Sequence, residues 1–146
     1  MKTGLSLVVV VALMASPAFA QQPAAGRVKV TSGAVFVVRA GTAQPAQAGQ
    51  LVYESDTLRT GADGRIGVTL NDDTRLSLGP SSEVRLDRFA YSPAESQLAL
   101  VLRVVRGVAA YVSGRIAKLA PDAIRLETPA AIVGVRGTTL AMRVSE

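Results

Sequence analysis

An all-β single domain of short antiparallel strands, arranged as a sandwich or a twisted solenoid-like stack, is the fold class this sequence predicts. Three observations in the stretch 55–88 predict it. Ile66, Val68 and Leu70, then Leu76 and Leu78, then Val84 and Leu86 occupy alternate positions, the period of a strand. Gly61-Ala62-Asp63-Gly64, Asn71-Asp72-Asp73-Thr74 and Gly79-Pro80-Ser81-Ser82 bracket these runs with turn-forming residues. Arg65, Gly67, Thr69, Arg75, Ser77, Glu83, Arg85 and Asp87 fill the intervening positions, so each strand buries one face and wets the other.

The remaining elements follow in order. Residues 1–20 carry Lys2, an apolar run from Leu5 to Ala15, and Ala18-Phe19-Ala20, the layout of a secretory signal cleaved between Ala20 and Gln21. The run falls short of the roughly 20 residues a helix needs to cross a bilayer, and no transmembrane span is expected after cleavage. Residues 21–26 read as a flexible tail and residues 27–146 as one β domain. Val28 and Val30 point one way, Gly33 bends the chain, and Val35 and Val37 continue. Gly41 to Gly49 is small and uncharged, an exposed connecting loop on composition. After Arg88 the pattern breaks, then Leu98, Leu100, Leu102 and Val104 restart it with Ala99, Val101, Arg103 and Val105 opposite, a central strand. Arg106-Gly107 turns the chain into a further strand through Val108, Ala110 and Val112. Residues 113–120 fit one helical turn or a loop, ended by Pro121. Ile124 and Leu126, then Ala131, Val133 and Val135, then Leu140, Met142 and Val144 form the closing strands.

Composition removes whole classes of chemistry. With no cysteine there is neither a disulfide nor a thiol nucleophile. With no histidine the commonest general base and transition-metal ligand is gone, and with it Ser-His-Asp catalysis. Of the formal charge of +5, Lys2 contributes one, which leaves +4 on the mature chain, mostly as arginine on the strands.

The run Asp56-Thr57-Leu58-Arg59-Thr60-Gly61-Ala62-Asp63-Gly64-Arg65 leads into Leu70 through Leu78-Gly79-Pro80. Later come Thr128-Pro129-Ala130-Ala131 and Val135-Arg136-Gly137-Thr138. Together, in this order, they resemble the FecR domain family of bacterial envelope proteins. The family often has Gly-Asp where this chain has Ser55-Asp56, and Asp-Gly-Ser/Thr where it has Asp72-Asp73-Thr74, so those two turns are expected to be built differently. The resemblance favours the all-β body. Members that regulate iron uptake across the membrane contact a sigma factor through a cytoplasmic segment, which this chain is expected to lack, so that role is not carried over.

Asn71, Asp72 and Asp73 form the one acidic cluster worth weighing for catalysis or calcium. Glycosidase chemistry needs two carboxyls aimed at one bond from separate positions, and a calcium loop needs more oxygens, so turn chemistry is the better reading. On that reading Asp72→Asn with Asp73→Asn leaves stability within about 1 kcal/mol. Lys29 and Lys118 are the only mature lysines, and no motif joins them to a serine. Gly134-Val135-Arg136-Gly137 lacks the lysine and spacing of a phosphate loop, so no cofactor and no metal are implied.

Arg65, Arg75, Arg85 and Arg136 are the candidate partner-binding residues, set against the alternative of a solvated strand face. Arg136 shares a face with Ile132, so it either folds over the closing turn onto a carboxylate such as Asp56 or Glu127, or faces a partner. Nucleic acid is excluded because the aromatic residues are scattered rather than interleaved with the basic ones, and because the chain is expected to be exported. The expected activity is therefore non-enzymatic binding, in the periplasm or outside the cell, of an envelope protein or an anionic envelope polymer. The alternative is a carbohydrate-binding module for peptidoglycan or a surface glycan, with Tyr53, Tyr91 or Tyr111 as an aromatic platform. Nothing in the pattern specifies an oligomeric state. The mature chain is expected to begin at Gln21 and to fractionate as a soluble species; intact mass and N-terminal sequencing check this, and full-length chain in washed membranes contradicts it.

Overall fold

The computed structural model describes residue 4, residues 22–135 and residues 139–145. The expected cleavage site at Ala20 and Gln21 and the closing-turn Arg136 lie outside the described residues. Among the described residues no helix is long and apolar enough to cross a membrane.

The strands are β1 (Gly26–Ser32), β2 (Val35–Arg39), β3 (Thr42–Pro45), β4 (Leu51–Val52), β5 (Thr57–Thr60) and β6 (Arg65–Leu70). They continue as β7 (Arg75–Leu78), β8 (Glu83–Ser92), β9 (Gln97–Val112), β10 (Ile124–Glu127), β11 (Ile132–Gly134) and β12 (Thr139–Val144), with one short helix, α1 (Arg115–Leu119), after β9. The all-β single domain is as the alternation predicts. Its arrangement is one curled sheet, antiparallel except where β10 runs parallel to β9.

The 16-residue β9 belongs to both halves of that sheet. Its first part pairs with β8 and β10, in the half ordered β3-β2-β5-β8-β9-β10-β11. Its last six residues pair with β7 and β12, in the half ordered β12-β9-β7-β6-β1-β4. Ile66, Val68, Leu70, Leu76 and Leu78 from the second half join Leu58, Val84, Leu86, Leu100, Leu102 and Val104 from the first in one buried cluster. Each such aliphatic side chain contributes about 1.5–3 kcal/mol of burial, so the shared core holds the halves together.

The expectation that Arg106-Gly107 ends one strand and starts another is corrected here. Gly107, at φ 84°, bends a single strand without breaking it. A Cβ there would lie 2.5 Å from Ser82 Cα and 2.7 Å from the Ser81 carbonyl oxygen. Ser82 is buried against the bend; its Oγ accepts from the Val108 N–H at 2.8 Å and lies 3.1 Å from the Val108 carbonyl, to which it can donate. The Ser82 N–H donates to Thr60 Oγ1 at 2.9 Å, and that hydroxyl donates to the Gly79 carbonyl at 2.7 Å. The end of β5, the β7–β8 crossover and the β9 bend are thereby tied at one point.

Further corrections have local causes. A bulge between Val28 and Val30 turns Val30 outward, where it is 63% exposed, because the extra residue reverses which face the chain presents. The expected loop 41–49 contains β3, joined to β2 by a two-residue turn whose Ala40 and Gly41 both have positive φ (51° and 79°), the twist a hairpin favours. All four β3 residues are exposed, so it carries no alternation to read. The tail is tied down from Ala24: the Ala25 N–H donates to the Val52 carbonyl at 2.7 Å and Asn71 Nδ2 donates to the Ala24 carbonyl at 2.6 Å.

The two turns expected to depart from the family pattern both place a non-glycine residue at positive φ. Ser55 (φ 74°) and Asp73 (φ 69°) adopt the left-handed conformation that glycine would take without strain. Asp73 lies in the four-residue β6–β7 loop, where its N–H donates to the Leu70 carbonyl at 3.0 Å.

Gly107→Ala is expected to lower stability by about 2–4 kcal/mol through left-handed strain and overpacking against Ser82. Gly134→Ala, where a Cβ meets nothing within 4 Å, should stay within about 0.5 kcal/mol by the same urea titration.

Candidate functional site

The outward positions of the strands are where this chain can meet another molecule, and the two halves of the sheet present different chemistry there. On the β8–β9–β10 half, acids interleave with arginines. Arg85 Nε lies 3.0 Å from Asp87 Oδ1, and Arg103 joins Asp87 (3.2 Å) to Glu127 (3.2 Å). Glu83 sits between Arg59 (3.5 Å) and Arg106 (3.6 Å). Exposed pairs of this kind contribute about 0–1 kcal/mol each. Their effect is to occupy Arg85, one of the arginines singled out for binding, with a partner from its own strand.

On the other half, register defines three rows of outward residues. Ala141 lies opposite Ala110, Ala110 opposite Ser77, Ser77 opposite Gly67 and Gly67 opposite Val30, so the middle row is small apart from Val30 at its end. One flanking row holds Arg143 beside Val108, and Arg65 beside Ser32. The opposite row holds Val112, Arg75, Thr69 and Arg27. No Asp or Glu occurs in β1, β4, β6, β7, β12 or residues 107–112 of β9. The structure thus brings Arg65 and Arg75 to one face, adds Arg27 and Arg143, and places Arg85 on the other half. A shallow trough on β1, β6, β7 and β9 is lined by Val30, Gly67, Ser77 and Ala110 of the middle row and by Arg65, Gly79 and Val108 of the first flanking row.

Two carboxylates that could have served chemistry are used by the fold. Asp56, 1% exposed, receives Arg39 Nε and Nη2, each at 2.8 Å, and the Tyr53 N–H at 2.8 Å. Hydrogen bonding to Asp56 pushes the Arg39 guanidinium above its ordinary value, with desolvation opposing, and the cation lies 4.6 Å from the centre of the Tyr53 ring. Gln22, Ala40, Glu54 and Ser55 complete a concavity around this group. The two carboxylates matched to Arg136 from sequence are paired with other arginines, Asp56 with Arg39 and Glu127 with Arg103.

Asp72 is a turn residue, as read from sequence, but it also reaches beyond its turn, which corrects the expectation that its replacement costs little. It is 0% exposed; Oδ1 accepts from the Thr74 N–H at 3.1 Å, and Oδ2 from Thr74 Oγ1 at 2.7 Å and from the Ile116 N–H at 3.2 Å. Its own carbonyl accepts from the Arg115 N–H at 2.6 Å. The carboxylate therefore holds the first turn of α1 against the β6–β7 hairpin, 44 residues away in sequence. Asp73 is exposed and reaches Arg115 Nε at 3.1 Å. Among the described residues no group of three or more acidic residues is placed to hold a metal ion.

Of the three tyrosines proposed as a platform, Tyr111 lies inside the core, where burial raises its phenol above the ordinary value. Tyr53 and Tyr91 are partly exposed.

Asp72→Asn puts an amide where two N–H groups and a hydroxyl donate, and is expected to cost about 1–3 kcal/mol. Asp73→Asn should cost about 0.5 kcal/mol or less, since both residues suit a left-handed turn. Urea midpoints of the single variants separate the two.

No curated protein and no solved structure matches the chain. The family model described as FecR protein matches residues 56–146, from the buried Asp56 through the Thr60–Ser82 junction and the bent β9 to the last strand. The chain belongs to the FecR protein family.

Proposed function

We propose that this chain is an exported, non-enzymatic domain that binds another component of the cell envelope, a protein first of all, as part of a signalling or assembly step. The FecR family match over residues 56–146 carries this reading, since that membership suggests a signalling-related domain. The saturation of Asp56 and Asp72 by hydrogen bonds from their own chain supports a binding use of the exposed faces over a catalytic one. Export rests on Lys2, the apolar run and Ala18-Phe19-Ala20. The second reading, a carbohydrate-binding module, keeps Tyr53 and Tyr91 as partly exposed rings but loses Tyr111 to the core.

Crosslinking in intact cells, with a photoreactive residue placed in turn at Ser77 and at Val101 on the two outward faces, tests the reading. A discrete protein adduct from one of these sites, identified by mass spectrometry, is the expected result. Adducts to glycan alone would favour the carbohydrate module, and no adduct from any exposed position would overturn binding as the function.

A further inference from the structure

We infer that the trough on β9, β7, β6 and β1, with the row of small residues that continues it onto Ala141 of β12, is the docking site, and that its occupant is an extended acidic segment of a partner protein. This deepens the protein-binding reading above and rests on it. Charge complementarity carries the inference. Arg27, Arg65, Arg75 and Arg143 have no ion pair among the described residues, and the strands of this half contain no carboxylate to neutralise them. The other half, built from the same curled sheet, pairs Arg59, Arg85, Arg103 and Arg106 with Glu83, Asp87 and Glu127, and of its strand arginines only Arg88 and Arg125 have no ion pair among the described residues.

Geometry selects a polypeptide from among anions. Strands lie about 4.8 Å apart, so the row from Ala141 to Val30 is about 19 Å long, the reach of about six extended residues. The arginine rows stand two residues to either side of that row, about 13 Å apart along the strands. An extended chain lying flat along the trough points successive side chains alternately left and right. Aspartates or glutamates at consecutive positions would therefore meet both rows, where the forked guanidinium matches a carboxylate. The floor suits this arrangement, because Ala141, Ala110, Ser77 and Gly67 are small enough to admit a peptide backbone. No tyrosine, phenylalanine or tryptophan occupies an outward position there for a sugar ring to stack on.

The test uses fluorescein-labelled hexaglutamate and the purified mature chain at about 0.15 M ionic strength, where the Debye length is about 8 Å, read by anisotropy. Saturable binding that weakens as salt is added is expected. Arg65→Glu with Arg75→Glu should weaken it by about tenfold or more, because rows that attract would then repel. Arg88→Glu with Arg125→Glu, an equal charge change on the other half, should have less than about a threefold effect, the distance being screened. Ser77→Tyr alters no charge but fills the floor, and should also weaken binding by about tenfold or more, with the backbone held off the sheet. If the charge-reversed pair fails to fold, Arg65→Gln with Arg75→Gln makes the same comparison. Equal losses from both arginine pairs, or undiminished binding by Ser77→Tyr, would reduce the effect to general attraction of anions and overturn the inference. Absence of hexaglutamate binding, alongside a protein partner captured in cells through Val101, overturns the docking site and leaves the protein-binding reading standing.

Discussion

The fold depends on one narrow line at which the chain passes repeatedly between the two halves of the sheet. Three crossovers and one bend meet there: Gly33-Ala34 between β1 and β2, the Gly61–Gly64 turn, Gly79–Ser82, and Gly107 within β9. They are fastened to one another by main-chain bonds, with the Gly61 N–H on the Ala34 carbonyl at 2.8 Å and the Ser81 N–H on the Gly61 carbonyl at 2.9 Å. The close approach leaves no room for a Cβ at Gly33, Gly64 or Gly107. Buried corners also need every polar group partnered, and the Thr60 and Ser82 hydroxyls supply what the backbone alone cannot.

The two buried carboxylates act at the ends of the same construction. Asp56 fixes the entry to β5 by binding Arg39 of β2 and the Tyr53 N–H, while Asp72 fixes α1 on the β6–β7 hairpin. Removing a charge from water is costly unless its lone pairs are filled, and both sites fill them with several donors from separate segments. This makes each a tertiary anchor as well as a turn residue.

Folding the sheet on itself also sorts the surface charges. Because β9 runs through both halves, its first part lies between β8 and β10, whose acids pair its arginines, and its last part lies among strands with none. The chain thus carries one face on which acids pair most of the arginines and one on which the charged strand residues are all basic. Binding through the cationic face would be steered over roughly a Debye length, about 8 Å at physiological salt.

Local pattern determined the strand periods of β5 to β8, the turns between them and the inward set from Ile66 to Leu86, since alternation and turn propensity are properties of neighbouring residues. It also determined the resemblance that the family match bears out. What it could not hold was anything set by partners far along the chain. Arg106-Gly107 has the composition of a turn, and only Ser82 packed beneath it makes it a bend. Val30 alternates with Val28 until a bulge opposite β6 turns it outward, and β3 becomes a strand because β2 pairs with it, not because its residues demand it. Arg65, Arg75 and Arg85 look alike in sequence, each directly before an inward apolar residue, Ile66, Leu76 and Leu86. Arg85 meets Asp87 two residues along its own strand, a pairing the sequence already contains, whereas only the tertiary structure decided that Arg65 and Arg75 lie among strands without a carboxylate, because cross-strand neighbours are chosen by topology and not by adjacency in the chain.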